Sequence, residues 1–145
     1  MIKGRKIKIA IIGCGRISKN HFGSIEQLDN EFDLVAVCDN NPSVLHAHKE
    51  QYKVPGYLSL DELLEKESVD VISLCTPSGL HSRQAIRAAK SGVHVISEKP
   101  MATKWADGLA MLKACDDAGV RLFVVKQNRR NSTLQLLKRA VTEKR

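Results

Sequence analysis

The stretch of residues 7–18, which reads IKIAIIGCGRIS, decides the fold. It begins with a short apolar, mostly β-branched run that ends at Gly13, the pattern of a buried strand. Gly15 follows two residues later, and a helical pattern begins at Arg16. A strand that passes through a glycine turn into a helix suits a phosphate group, because the helix N-terminus offers free N–H groups and a positive dipole end.

Outward from this stretch, short apolar runs alternate with helical patterns along the whole chain. The predicted strands cover residues 7–12, 34–38, 69–75, 93–97 and 120–125, with a turn or short strand at 54–58. The predicted helices cover residues 16–28, 42–52, 60–67, 79–91, 103–118 and 130–144. This alternation predicts an α/β doubly wound fold: a mainly parallel six-stranded sheet with helices on both faces.

Local signals mark several helix ends. Asn41 precedes Pro42, which predicts an N-cap followed by a proline at the first helical position. Ser59 and Glu62 have the spacing of a capping box. Gly92 and Gly119 are expected to end the helices before them.

Composition limits the class of protein. The 145 residues are 43% hydrophobic and 27% charged, which is enough for one domain with a real core and excludes a disordered tail, a collagen-like repeat or a disulfide scaffold. No run of 18 apolar residues exists, so we expect no membrane-spanning helix.

The net charge of +7 does not indicate a nucleic-acid reader. Residues 1–8 carry +4 and residues 126–145 carry +6, whereas the body between them carries −3. Basic ends attract polyanions non-specifically but do not form a groove reader, so we expect no specific nucleic-acid binding.

The cysteines predict a reducing compartment. None forms a C-x-x-C pair and no His/Cys cluster has zinc spacing, so no metal site is expected. Buried free thiols are the expected state of Cys14, Cys38, Cys75 and Cys115. Because Lys8 interrupts the first apolar run and no cleavage motif follows it, we interpret that run as a strand and not a signal peptide, and we expect a cytoplasmic protein.

The glycine turn and Asp39 together predict a dinucleotide site. Gly13 would permit the tight turn, Gly15 would let a pyrophosphate approach the backbone, and Ser18 replaces the usual third glycine. Asp39 ends the second strand, where a carboxylate would hold the adenosine ribose hydroxyls and disfavour a 2′-phosphate, so NAD is favoured over NADP. The alternative is an ordinary turn and an ordinary strand-end Asp.

Polar residues at later strand ends should share this rim, because ligands of open α/β sheets bind at the carboxyl ends of the strands. The fourth strand is followed by Thr76-Pro77 and His81, which could contact a cofactor or cap its helix. Lys99 follows the fifth strand and could orient a substrate hydroxyl or move its proton, or it could be a surface lysine paired with Glu98.

The remaining histidines and the tryptophan are expected to be structural. We expect His21 to pack on the inner face of the first helix and Trp105 to be buried. His46, His48 and His94 have no convergent partners in the sequence pattern.

The segments GCGRIS, AVCDNNP, CTPSGLHS and SEKPMA resemble the Gfo/Idh/MocA oxidoreductases, a family with a Rossmann-type NAD-binding domain, over nearly the whole chain. SEKPMA is the most specific of the four. The stretch VVKQNRRN is similar to the bacterial members that oxidise the 3-hydroxyl of UDP-N-acetylglucosaminuronic acid in surface-polysaccharide synthesis.

The resemblance implies a role for each matching residue. Lys99 would work at the reacting hydroxyl, and Asn128 and Arg129 would lie near the substrate. The cofactor residues would be Gly13, Gly15, Arg16, Ile17, Asp39, Thr76, Pro77, His81, Glu98, Lys99 and Gln127.

The resemblance also implies a division of the chain. Residues 1–127 would form the dinucleotide-binding domain, and residues 128–145 would begin the connection to a C-terminal substrate domain through which members usually form homo-oligomers. Turnover by these 145 residues alone is then not expected, because the site lacks its other wall. Alternatives are a dehydrogenase of another sugar or polyol, or a non-catalytic dinucleotide-binding module that associates through Leu134, Leu137 and Val141.

Overall fold

The computed structural model describes residues 4–144, which form one six-stranded parallel sheet with helices on both faces. The strands are β1 (Ile7–Ile12), β2 (Phe32–Cys38), β3 (Gly56–Tyr57), β4 (Val71–Leu74), β5 (His94–Ser97) and β6 (Leu122–Val124). The helices are α1 (Ser18–Gln27), α2 (Pro42–Tyr52), α3 (Leu60–Lys66), α4 (His81–Lys90), α5 (Trp105–Asp117) and α6 (Ser132–Thr142). The predicted α/β class is confirmed.

The strand order β3-β2-β1-β4-β5-β6 places the functional rim. The chain starts in the middle of the sheet, builds outward through β2 and β3, and then returns to the other side of β1 as β4. The carboxyl ends of β1 and β4 therefore lie where the direction of winding reverses, which is the position of ligand crevices in open parallel sheets.

Apolar side chains fill the space on both faces of the sheet. On one face Phe22 of α1 stacks on Tyr52 of α2, with ring centroids 4.1 Å apart, above Ile11 and Val37. On the other face α3, α4 and α5 cover the sheet with residues that include Leu63, Ala85, Ala88 and Met111. Burial on both faces explains why the strands are almost continuously apolar.

The predicted helix starts are confirmed in part. The Asn41 side chain accepts hydrogen bonds from the backbone N–H groups of Ser43 and Val44, and Pro42 is the first helical residue. The Ser59 hydroxyl accepts from the Glu62 N–H at 3.2 Å. The carboxylate of Glu62 instead pairs with Lys66 at 2.7 Å, so only half of the predicted capping box forms.

An ion pair fixes the start of β1 to the start of β4. The Asp70 carboxylate accepts two hydrogen bonds from the Arg5 guanidinium, at 2.6 and 2.8 Å, and one from the Lys8 backbone N–H. These bonds, above all those from the Arg5 side chain, hold the pKa of Asp70 below its usual range.

Large apolar side chains are exposed on two helices, α5 and α6. Trp105 is 83% exposed, so its predicted burial is wrong: it is the first residue of α5 and projects away from the sheet. On α6, Leu134, Leu137 and Val141 are exposed, as expected if no second domain covers them.

Within residues 4–144, no helix is both long enough and apolar enough to span a bilayer.

Candidate functional site

Gly13 occupies a position that only glycine fits. Its φ is +89°, and a Cβ built there would lie 2.9 Å from the backbone of Cys75 and Thr76. Its N–H donates to the Cys38 carbonyl at 2.7 Å. The end of β1 is therefore pressed between the ends of β2 and β4, which confirms a tight turn at this residue.

Gly15 differs, because the space beside its Cα is empty. A Cβ there would meet no atom within 4 Å, and its φ is not among the positive values. The fold itself does not need glycine here, so the open space is available to a ligand that approaches the backbone. Ser18, fully buried, donates its hydroxyl to the Gly15 carbonyl at 2.6 Å and tightens the turn, a contact that the sequence analysis did not anticipate.

Asp39 is tied to the glycine turn. One carboxylate oxygen accepts the Cys14 N–H at 2.8 Å, and the other accepts the Asn41 N–H at 2.8 Å. Each oxygen keeps a further lone pair for an outside donor such as a hydroxyl group. The carboxylate is thus held at the end of β2, at the edge of the cleft described next.

A cleft of about 700 Å³ lies along the carboxyl ends of β1, β2 and β4. It is as large as typical cofactor sites. Its lining includes Gly13, Gly15, Asp39, Thr76 and Pro77, together with Leu58, Ser59, Leu60, Asp61, Arg83, Gln84 and Arg87. The open glycine backbone, the N-terminus of α1 and the strand-end carboxylate fit the pyrophosphate and ribose of a dinucleotide.

The two arginines of the cleft were missed as site residues. Helical periodicity alone predicts that Arg83 and Arg87 of α4 point outward, so the sequence pattern does not mark them as site residues. Arg87 pairs with Asp61 at the start of α3, which also lines the cleft. One signal in the sequence could have revealed them. Because α4 begins just after the loop that follows β4, its residues lie near the same rim.

His81 lies under this rim and not on its surface. It is 1% exposed, with Nδ1 2.9 Å from the Pro100 carbonyl and Nε2 2.8 Å from the Thr76 carbonyl. A neutral imidazole carries one N–H and can donate to only one of these carbonyls at a time. The ring joins the loop after β4 to the Lys99–Pro100 segment, whose peptide bond is cis.

Glu98 and Lys99 both follow β5, but the Glu98 side chain is buried and the Lys99 side chain is exposed. Glu98 is 7% exposed, and its carboxylate contacts His21 Nε2 at 3.0 Å and accepts the Lys99 N–H at 3.2 Å. Lys99 is exposed on the same rim. His21 is half-buried as expected, but it also takes part in this polar network, which its pattern on α1 did not indicate.

Gln127, Asn128 and Arg129 stand apart from the cleft. They form an exposed 3₁₀ turn, Gln127–Arg130, between β6 and α6, and none of them lines the 700 Å³ cleft. Arg16 and Ile17 complete the turn that leads from Gly15 into α1. In the described part of the chain, no trio of His, Cys, Asp or Glu side chains is arranged to hold a metal ion.

All four cysteines are free and buried, as predicted. Burial raises the pKa of the thiols of Cys14, Cys38 and Cys75, which end adjacent strands beneath the cleft, to about 12. These residues therefore act as small apolar packing groups under the rim and not as nucleophiles.

Comparison with known proteins identifies the family of this chain. The family model for the Gfo/Idh/MocA oxidoreductases, described as an NAD-binding Rossmann fold, matches residues 7–126. Crystal structures of the WlbA dehydrogenases of Bordetella pertussis and Chromobacterium violaceum, both in complex with NADH and UDP-GlcNAcA, are 55% and 53% identical to this chain. Their TM-scores are 0.93 and 0.94 over 96% and 99% of the chain, and the chain covers 42% of each.

A curated relative carries a different activity. The 2,7-anhydro-N-acetylneuraminate hydratase of Escherichia coli is 45% identical over 112 residues, 76% of this chain and 30% of that protein. The chain spans well under half of the relatives that it matches. The match over residues 7–126 shows that the chain belongs to the Gfo/Idh/MocA oxidoreductase family, and the sheet order is that of its NAD-binding Rossmann domain.

Proposed function

We propose that this chain binds NAD along the carboxyl ends of its strands. The observation that carries the proposal is the cleft itself. In it the open backbone of Gly15 leads into the N-terminus of α1, and the Asp39 carboxylate is fixed beside this turn. The pyrophosphate lies over residues 13–17 and the adenosine ribose hydroxyls donate to Asp39. The loop of Thr76 and Pro77 flanks the cofactor, with His81 beneath it.

We further propose that the longer protein of this type oxidises a hydroxyl of a sugar such as UDP-N-acetylglucosaminuronate, at its 3-position. The support is the identity above 50% to two dehydrogenases solved with this sugar nucleotide. NAD, when bound, accepts the hydride from the carbinol carbon. Lys99 orients the hydroxyl and takes its proton, while Glu98 and Gln127 lie toward the nicotinamide and Asn128 and Arg129 toward the sugar.

The domain division follows from this proposal. Residues 1–127 act as the dinucleotide-binding domain, and residues 128–145 lead toward a substrate domain. The exposed apolar side of α6, with Leu134 and Leu137, supports a covering partner there. We propose a homo-oligomer in the cytoplasm, where the buried free thiols stay reduced.

A second candidate activity is the hydratase chemistry of the Escherichia coli relative, which the 45% identity favours. Dehydrogenation of another sugar or polyol is a third, and a non-catalytic dinucleotide-binding module is a fourth. All four candidates bind the cofactor in the same cleft. Cofactor binding therefore does not distinguish them, whereas turnover of a substrate does.

A domain exchange tests whether this chain supports dehydrogenation of UDP-GlcNAcA. We expect a Bordetella pertussis WlbA dehydrogenase whose matching domain is replaced by this chain to reduce NAD with UDP-GlcNAcA, followed by NADH absorbance. In this chimera Lys99→Ala should lower kcat by about 10²- to 10⁴-fold with little change in KM, because it removes a group that acts on the proton in transfer. Lys104→Ala, at an exposed lysine just before α5, is the matched control and should be neutral.

A chimera that binds NADH but does not oxidise UDP-GlcNAcA would contradict the proposed substrate. Full activity of the Lys99→Ala chimera would contradict the role of this lysine and leave the substrate assignment standing.

A further inference from the structure

His21 connects three elements at the base of the rim. It lies on α1, and its ring sits between Ser73 of β4 and Glu98, which follows β5. The Ser73 Oγ is 2.8 Å from Nδ1 and the Glu98 Oε1 is 3.0 Å from Nε2. Ser73 is fully buried, and the side chains of His21 and Glu98 are 14% and 9% exposed.

For a carboxylate beside a neutral imidazole, the directions of both hydrogen bonds follow from the donors and acceptors present. An ionised carboxylate only accepts, so Nε2–H donates to Glu98. In the neutral ring Nδ1 then has a lone pair, and the Ser73 hydroxyl donates to it. Every polar atom of the chain Ser73–His21–Glu98 is used, and the second Glu98 oxygen accepts the Lys99 backbone N–H.

These three hydrogen-bonded side chains are not a hydrolytic triad, although they include a serine, a histidine and an acid. Ser73 lies inside β4, which pairs with β1 on one side and β5 on the other, and none of its surface is exposed. Its hydroxyl therefore cannot reach a substrate. The hydrogen bonds from His21 and Ser73 can instead hold the Glu98 carboxylate in one orientation.

We propose that His21 is a positioning residue for the Glu98–Lys99 segment and thereby for the nicotinamide half of the cofactor. It ties this segment to α1, the helix whose N-terminus faces the pyrophosphate, across 77 residues of sequence. The inference rests on the proposed function in one respect, that the segment touches the nicotinamide half. Without the His21 bond, the Glu98 carboxylate is free to turn, and the Lys99 amide loses a fixed acceptor.

Two ligands and two substitutions test this in the 145-residue chain. NADH contains the nicotinamide half and ADP lacks it, whereas both occupy the pyrophosphate and adenosine positions. His21→Gln keeps an N–H donor near the Nε2 position, and His21→Asn is too short and keeps only a group near Nδ1. The affinities are measured by calorimetry, with the free energy of unfolding of each variant measured by denaturant titration.

We expect His21→Asn to bind NADH about tenfold more weakly, the effect of one lost hydrogen bond to a charged group, and to bind ADP within about twofold of the unchanged chain. His21→Gln should restore NADH binding. An equal loss for both ligands, no loss for either, or indistinguishable Gln and Asn variants would overturn the proposal. So would equal affinity of the unchanged chain for NADH and ADP.

The ring itself gives a readout that needs no cofactor. Nitrogen-detected NMR of His21 should show the proton on Nε2, with a changed Nε2 signal in Glu98→Gln. A proton on Nδ1 alone would overturn the inference. If the unchanged chain binds neither ligand, the proposed function fails, and the NMR result still decides the His21 network.

Discussion

Gly15→Ala is expected to leave the fold intact and to weaken NAD binding by roughly 10- to 150-fold, the equivalent of about 1.5–3 kcal/mol. The physical reason is that a Cβ at this position meets no protein atom within 4 Å but stands where the pyrophosphate approaches the backbone. Calorimetry with NAD measures the affinity, and denaturant unfolding measures the stability of the same sample.

Two other glycines serve as controls for this substitution. Gly13→Ala should instead reduce stability by about 2–6 kcal/mol, the sum of backbone strain at a φ of +89° and a Cβ placed 2.9 Å from the β4 loop. Gly23→Ala, within α1 with open space around it, should keep NAD affinity and add up to about 1 kcal/mol through helix propensity. An unaltered NAD affinity in Gly15→Ala would rule out the proposed pyrophosphate position.

Asp39→Ala should change which dinucleotide the chain prefers. We expect NAD affinity to fall by about 10- to 150-fold because the ribose hydroxyls lose a charged acceptor. NADP affinity should fall much less or rise, because the 2′-phosphate no longer meets a negative charge. Stability should also fall by about 1–3 kcal/mol, since the partly buried Cys14 N–H loses its acceptor.

Parallel titrations with both dinucleotides check this prediction. Asp33→Asn removes one negative charge from the other end of the same strand and is the matched control. It should leave both affinities unchanged. If Asp39→Ala kept the NAD-over-NADP ratio of the unchanged chain, the role assigned to this carboxylate would be wrong.

The sequence predicted the order and type of the main elements because their signals are local. The apolar run before Gly13, the Asn41-Pro42 helix start and the glycines after α4 and α5 each act within a few residues. Helix and strand ends differ by at most two residues from the predictions, as at α1, which begins at Ser18 and not at Arg16. The residues between are taken up by the turn that Ser18 closes.

The features that were missed depend on contacts between residues that are distant in sequence. The His21–Glu98 bond joins residues 77 apart, and the Arg87–Asp61 pair joins residues 26 apart. No periodicity records such pairs, because each side chain alone reads as a packing residue or an exposed charge. Trp105 was misjudged for the opposite reason: apolar character predicts burial, but its place at the first turn of α5 points it outward.

The most direct test of the account is a calorimetric titration of the 145-residue chain with NAD and, separately, with NADP. We predict one NAD site per chain and NADP binding weaker by at least about tenfold, because the 2′-phosphate faces the Asp39 carboxylate. Binding of neither dinucleotide, or equal binding of both, would contradict it.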